Sequence, residues 1–168
     1  MSITYKKVIF QLYVDDLFNI VRNRTAYISN HAQSQEGSSE KILALTEADR
    51  LWFDMNLRYA ADSAYERLNA GGYVQPTDYT YTAKDTQGKD YIEYIFYLNE
   101  NWDVNLVPVM NNAIERYITQ RVINDWFKEC MYVNYLQIGV GELADSEGNL
   151  KSILNRRKWP VSRPHTML

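Results

Sequence analysis

The residues that could do chemistry in this chain are few and widely separated. Its two histidines, His31 and His165, lie in a polar stretch and near the last residue, and its one cysteine, Cys130, stands apart from both. Metal centres and histidine-dependent catalysis need several donors at set spacing, as in CxxC pairs, HExxH helices or the Gly-x-Ser-x-Gly elbow. None of these patterns occurs, and neither does a Gly-rich phosphate loop. Asp15 and Asp16 are the one adjacent carboxylate pair. They stand where a strand gives way to a helix, and capping that helix accounts for them. Glu115 with Arg116, and Asp125 with Lys128, have the look of solvated helix faces carrying ordinary ion pairs. The expectation is a protein with no catalytic centre, metal or cofactor.

Composition narrows the class further. A chain of 168 residues is long enough for one domain with a sizeable core and short for two. Net charge is only −3, but it is unevenly placed. Five basic residues (Lys151, Arg156, Arg157, Lys158, Arg163) and no acidic one follow Glu147, leaving thirteen basic against twenty-one acidic in the rest of the chain. A single cysteine excludes an intrachain disulfide and fits a reducing cytoplasm, with Cys130 read as a small buried apolar residue. No apolar run reaches membrane-span length and no signal-peptide pattern opens the chain, so a soluble, unexported protein is expected. Fourteen tyrosines and four tryptophans are a heavy aromatic load, of the kind that favours interfaces between chains.

The element that must position everything else is Asn105 to Lys128, NLVPVMNNAIERYITQRVINDWFK. Leu106, Met110, Ala113, Ile114, Tyr117 and Ile118 recur at three and four, which marks one face of a helix roughly 35 Å long. Pro108 suits its first turn, with Asp103 or Asn105 as the cap. Past Gln120 the pattern switches: Arg121, Asn124 and Lys128 continue the first stripe while Val122, Ile123 and Trp126 take nearly the opposite face. Either the helix kinks there, or its second half is covered by something other than the core, such as another subunit.

The other elements follow from period and punctuation. Lys7 to Val14 reads as a strand. Leu17, Ile20, Val21, Arg24 and Ile28 then give a helix that fades near Asn30, and His31 to Glu40 reads as a poorly ordered surface loop. Thr46 with Asp49 resembles a capping box opening a helix to about Ala70, stopped by Gly71 and Gly72. Its core stripe is Phe53, Leu57, Ala60, Ala61, Ala64 and Leu68, with the alanines allowing close approach to the long helix. Trp52, Met55 and Tyr59 form a second cluster opposite that stripe, covered either by a loop of the same chain or by another chain. A β-hairpin occupies about 78–98, turning at Asp85 to Gly88. It should join the first strand in a small antiparallel sheet or lie on a neighbouring subunit. Its tyrosines (79, 81, 91, 94 and 97) are better suited to cross-strand packing than to stacking nucleic-acid bases, since few cations interleave with them. After Cys130 two short helices are expected, broken at Gly139, Gly141 and Gly148. Pro160 and Pro164 then keep the end extended. The fold class is therefore mainly α (α+β), a helical bundle around one long helix with a small antiparallel sheet. Residues 1–158 form one domain and 159–168 an extended arm.

Helices with two apolar faces, interface-type aromatics and a basic arm without a catalytic set describe an assembly part. Three stretches, YVDDLFNIVRNRTAYIS (Tyr13 to Ser29), LNENWDVNLVPVMNNAIERYITQRVINDWF (Leu98 to Phe127) and LNRRKWPVSRP (Leu154 to Pro164), carry a more specific likeness. In these the chain resembles a group of tailed-bacteriophage head-to-tail connector (adaptor) proteins. The resemblance implies a virion neck protein made in the bacterial host cytoplasm: a homo-oligomeric ring that meets portal and tail proteins around the DNA channel, with no enzymatic activity. Trp52, Met55, Tyr59, Trp126 and Trp159 would then meet neighbouring chains. Arg156, Arg157, Lys158 and Arg163 would belong to an arm that docks on the portal or an adjacent subunit, or faces channel DNA, unless it is a plain solvated tail. A tail-completion or terminator subunit is the nearest alternative, and a small DNA-binding packaging or regulatory protein is the alternative from another class.

Overall fold

The computed structural model describes residues 5–36, 44–69 and 74–156. Four helices surround and include the long central one, and three strands form one antiparallel sheet. In chain order these are β1 (Tyr5–Tyr13), α1 (Val14–Glu36), α2 (Arg50–Asn69), β2 (Val74–Lys84), β3 (Asp90–Asn99), α3 (Val107–Glu129) and α4 (Val133–Asn155). The hairpin does join the first strand: the order is β1-β3-β2, with β3 central. No helix among the described residues is long and apolar enough to cross a membrane.

Alternation sets the sheet's inner face. Val8, Phe10 and Leu12 of β1 lie directly opposite Phe96, Tyr94 and Ile92 of β3, and all six are buried. Such cross-strand pairs are the unit of sheet stability. The tyrosines pack within the fold: Tyr79 of β2 stacks between Tyr94 (5.2 Å) and Tyr65 of α2 (5.1 Å). Their hydroxyls donate to α2, from Tyr79 to Asp62 (2.8 Å), Tyr81 to the Asp54 carbonyl (3.0 Å) and Tyr94 to the Ala61 carbonyl (2.9 Å). Asp85 closes the hairpin by accepting from the backbone of Gln87 and Lys89, while Gly88 takes the left-handed position (φ 78°) that the turn requires.

α1 buries Leu17, Phe18, Val21, Thr25 and Ser29, so Ile20 and Arg24 face outward, unlike in the expected stripe. It also runs beyond Asn30 to Glu36, which corrects the loop expected from His31. His31 stacks on Tyr27 one turn back, with ring centroids 6.3 Å apart, and continues the helix without an apolar period. Residues 37–40 of that expected loop lie outside the described ones. α2 follows a 3-10 turn in which Thr46 donates from its backbone to the Asp49 carboxylate (2.9 Å), as the capping box requires. Its buried residues are the six expected. Gly71 and Gly72 lie outside the described residues.

α3 packs against α1, α2, α4 and β1. Asp103 provides the cap before it, accepting from the Asn105 backbone (3.1 Å), and Pro108 sits in its first turn. The switch of stripe past Gln120 does not break the helix. Val122, Ile123 and Phe127 are buried, and the element over this half is α4 of the same chain, not another subunit. Asn124 is buried as well, because its polar atoms are satisfied: its amide donates to the Gly139 carbonyl (2.8 Å) and its oxygen accepts from Gln120 (2.9 Å). Gln120 also donates to the Tyr135 hydroxyl (2.8 Å).

The two short helices expected after Cys130 are in fact one helix, α4, running through all three glycines. A glycine within a helix costs only about 1 kcal/mol relative to alanine, which tertiary packing outweighs. Gly139 has a positive role. A Cβ there would overlap the Asn124 side chain and sit 2.8 Å from the Tyr135 ring, so its absence lets α4 lie close on α3. Gly141 and Gly148 meet nothing within 4 Å. At the far end, the buried Trp102 indole donates to the Ile153 carbonyl (3.3 Å) and anchors the last turns of α4.

Two outcomes are expected. Gly141→Ala and Gly148→Ala should each raise stability by about 0.5–1 kcal/mol, while Gly139→Ala should lower it by driving Asn124 from its bonds. Urea midpoints check this, and a stabilising Gly139→Ala would contradict the close packing. Alkaline pH should unfold the protein. Burial raises the phenols of Tyr81 and Tyr135 to about 12, and also raises those of Tyr79 and Tyr94. Their contribution is full below the ordinary tyrosine value of 10.0 and is lost as pH climbs toward 12. Tyrosinate absorbance and loss of circular dichroism should therefore rise together in that window.

Candidate interaction surface

The groups with chemical potential are held in structural roles. Asp15 and Asp16 occupy the first turn of α1, where helix polarity favours negative charge. Asp15 accepts from Arg50 (2.8 Å), whose guanidinium also binds Asp54 (3.0 Å) and lies 4.7 Å above the Phe18 ring. That cluster joins the starts of α1 and α2. Cys130 ends α3 half-buried, less enclosed than expected, and burial raises its thiol pKa, which disfavours the reactive thiolate. No group of three or more potential metal donors occurs among the described residues.

What the surface does carry is apolar area in an ordered place. Leu51, Met55 and Tyr59 sit at i, i+4 and i+8 on α2 and are 75, 57 and 65% exposed. One stripe on one helix face results. Trp52 and Trp126 lie beside it, half-buried against the core, and meet each other edge to face at 4.9 Å. Of the residues expected to meet other chains, Met55 and Tyr59 are thus open, while Trp52 and Trp126 cover each other within one chain. Trp159 and the arm residues Arg157, Lys158 and Arg163 lie outside the described residues, and Arg156 is the exposed residue that ends α4.

Beyond Tyr59 the stripe opens into a groove of about 800 Å³ between α2 and the last turns of α3. Tyr59 and Ser63 form part of one wall, Arg121, Asp125 and Glu129 part of the other, and Met131 stands at the end. Arg121 and Asp125 form a pair on α3 (3.7 Å), correcting the expected pairing of Asp125 with Lys128. Burial raises the Asp125 pKa against the pull of both cations.

No family model, curated protein or solved structure matches this chain. Its surface must be read from its own geometry.

Met131 is the informative residue. α3 ends at Cys130 in a Schellman turn, with Met131 donating to the Lys128 carbonyl (3.1 Å) and Tyr132 to the Phe127 carbonyl (2.9 Å). The Phe127 and Tyr132 rings pack at 5.8 Å, the apolar contact that accompanies this turn. The position after the cap is left-handed and usually glycine, yet here it is Met131 (φ 55°), 83% exposed. A side chain that strains the backbone and buries little area is not there for the stability of its own fold.

Sequence reasoning missed Leu51 and Met131. Leu51 could have been found by stepping one turn back from Met55. Met131 had no signal, because nothing in its type announces a left-handed turn. Met131→Gly should stabilise the isolated chain by up to about 1 kcal/mol, measured by thermal or urea unfolding. A destabilised variant would show that the side chain serves the fold after all.

Proposed function

We propose that this protein is a structural assembly subunit of the head-to-tail connector type, forming a ring between portal and tail around the DNA channel of a tailed bacteriophage. The carrying observation is the exposed apolar stripe Leu51, Met55 and Tyr59, whose Tyr59 lines the same groove as the strained, exposed Met131. Ordered apolar surface of this kind suits contact with another protein chain. The likeness to connector proteins adds the direction. Its first two stretches cover most of the buried faces of α1 and α3, which pack on each other.

A ring closes through heterologous contacts, so each subunit needs two different faces. The stripe on α2 supplies one. The outer face of the sheet, where Ile9 is 46% exposed and Gln11 bonds Glu93 across the strands (2.8 Å), is a candidate for the second. The work of such a subunit is mechanical, and its side chains need only shape, apolar area and complementary charge.

Light scattering of the purified chain, alone and with a portal protein, tests this reading. A mass that is a multiple of the 19.8 kDa subunit is expected for the chain alone, or a portal mass raised by such a multiple for the mixture. Met55→Lys and Tyr59→Asp should abolish that mass with helical circular dichroism unchanged. A chain that stays monomeric at every concentration and ignores the portal overturns the proposal. So does tight duplex-DNA binding with a steep salt slope, which marks the DNA-binding alternative.

A further inference from the structure

We propose that the groove between α2 and α3 receives the basic C-terminal arm, residues 157–168, of a second copy of this chain. This rests on reading the protein as a self-assembling subunit, and it names the contact that joins one subunit to the next.

Charge is the first argument. The groove carries four carboxylates, Asp62, Glu66, Asp125 and Glu129, against two cations, Arg121 and Lys128. Arg121 is paired with Asp125, and among the described residues neither Glu66 nor Glu129 has a salt-bridge partner. The arm has the complementary composition: Arg157, Lys158 and Arg163 with no acidic residue. Apolar matching follows the same line, because Tyr59 and Met131 border the groove while Trp159 and Met167 punctuate the arm. Pro160 and Pro164 exclude a helix, and an extended segment suits a channel between two helices.

Self-assembly calls for the second copy, and the geometry permits it. α4 turns back along α3, so that Ile153 and Arg156 lie beside Val109 and Ala113, near the start of α3. The groove lies at the other end, from Arg121 to Met131. Arg156 leaves α4 in an extended conformation (φ −69°, ψ 135°), so the arm departs from the end of the hairpin remote from the groove. Twelve extended residues span about 40 Å, enough to cross to a neighbour. Donor and acceptor at opposite ends of one subunit make a heterologous contact, the kind that repeats around a ring.

The test uses full-length chains and a fluorescent peptide of sequence RRKWPVSRPHTML, residues 156–168. The receptor carries Arg157→Glu, Lys158→Glu and Arg163→Glu, so that its own arm cannot compete. The peptide should bind it, and adding Glu66→Lys and Glu129→Lys should weaken binding about tenfold or more. A scrambled peptide should bind more weakly than the native order. In the assembly assay, arm reversal and groove reversal should each lower the mass, and the chain carrying both should regain it. Peptide binding indifferent to the groove charges, or to peptide order, overturns the proposal. Arm amides protected in the wild-type chain independently of its concentration would mean that each arm fills its own groove, which also overturns it. Because peptide binding is read on monomers, failure of ring assembly would sink the connector reading separately.

Discussion

Asn124 must be satisfied inside the protein, and the way it is satisfied sets the course of α4. α3 is covered by three helices and β1, so even its polar positions are enclosed. A buried amide without partners would cost about 1–3 kcal/mol. Asn124 avoids this by donating to the Gly139 carbonyl and accepting from Gln120, which reaches on to Tyr135. A helical carbonyl is already engaged by its own ladder but keeps a second lone pair. Asn124 uses it only because Gly139 lets the backbones come close. One glycine thereby fixes the register between α3 and α4.

The same hairpin is constrained at its turn. The Schellman bonds require a left-handed residue after Cys130, and the Phe127–Tyr132 contact supports them. The turn would accept glycine most easily, yet its tip is a methionine in solvent. Network and turn together make α3 and α4 a rigid pair; α2 packs on α3 with its alanines buried, and the sheet bonds α2 through tyrosine hydroxyls. The groove between α2 and α3 is therefore bounded by elements that the core holds in place.

Much of this was legible because periodicity reports burial. The α2 stripe Phe53, Leu57, Ala60, Ala61, Ala64 and Leu68 matches the buried set, and the first strand and the hairpin lie close to where they were expected. Reading failed where composition and tertiary context disagree. Three glycines argued for breaks in α4, but one of them was the packing contact and the others faced open space. The shift of stripe in α3 suggested a kink or another subunit, because Asn124 looked like a surface residue, and only a specific carbonyl on a distant helix makes it an interior one. The end of α1 was placed early because HAQSQE, residues 31–36, has no apolar period to show. Of the surface, Met55 and Tyr59 were legible as apolar residues opposite a core stripe. That Trp52 and Trp126 would cover each other depends on the packing of α2 on α3, which no local pattern records.

Exposed apolar residues alone would be weak ground for an interface, since folded proteins scatter many of them over their surfaces. Tyr27, Val133, Ile138 and Val140 are exposed to similar degrees. The arrangement distinguishes the α2 surface from these. Leu51, Met55 and Tyr59 repeat every fourth residue, so they share one face, whereas Ile138 lies on a different face of α4 from Val133 and Val140. Tyr59 also lines a groove that holds Glu66 and Glu129, without salt-bridge partners among the described residues, and a methionine in a left-handed turn. Apolar area in one line, excess charge of one sign and local strain are three independent departures from what the fold itself needs. Their convergence on the joint between α2 and α3 is the ground for proposing that joint as a contact surface.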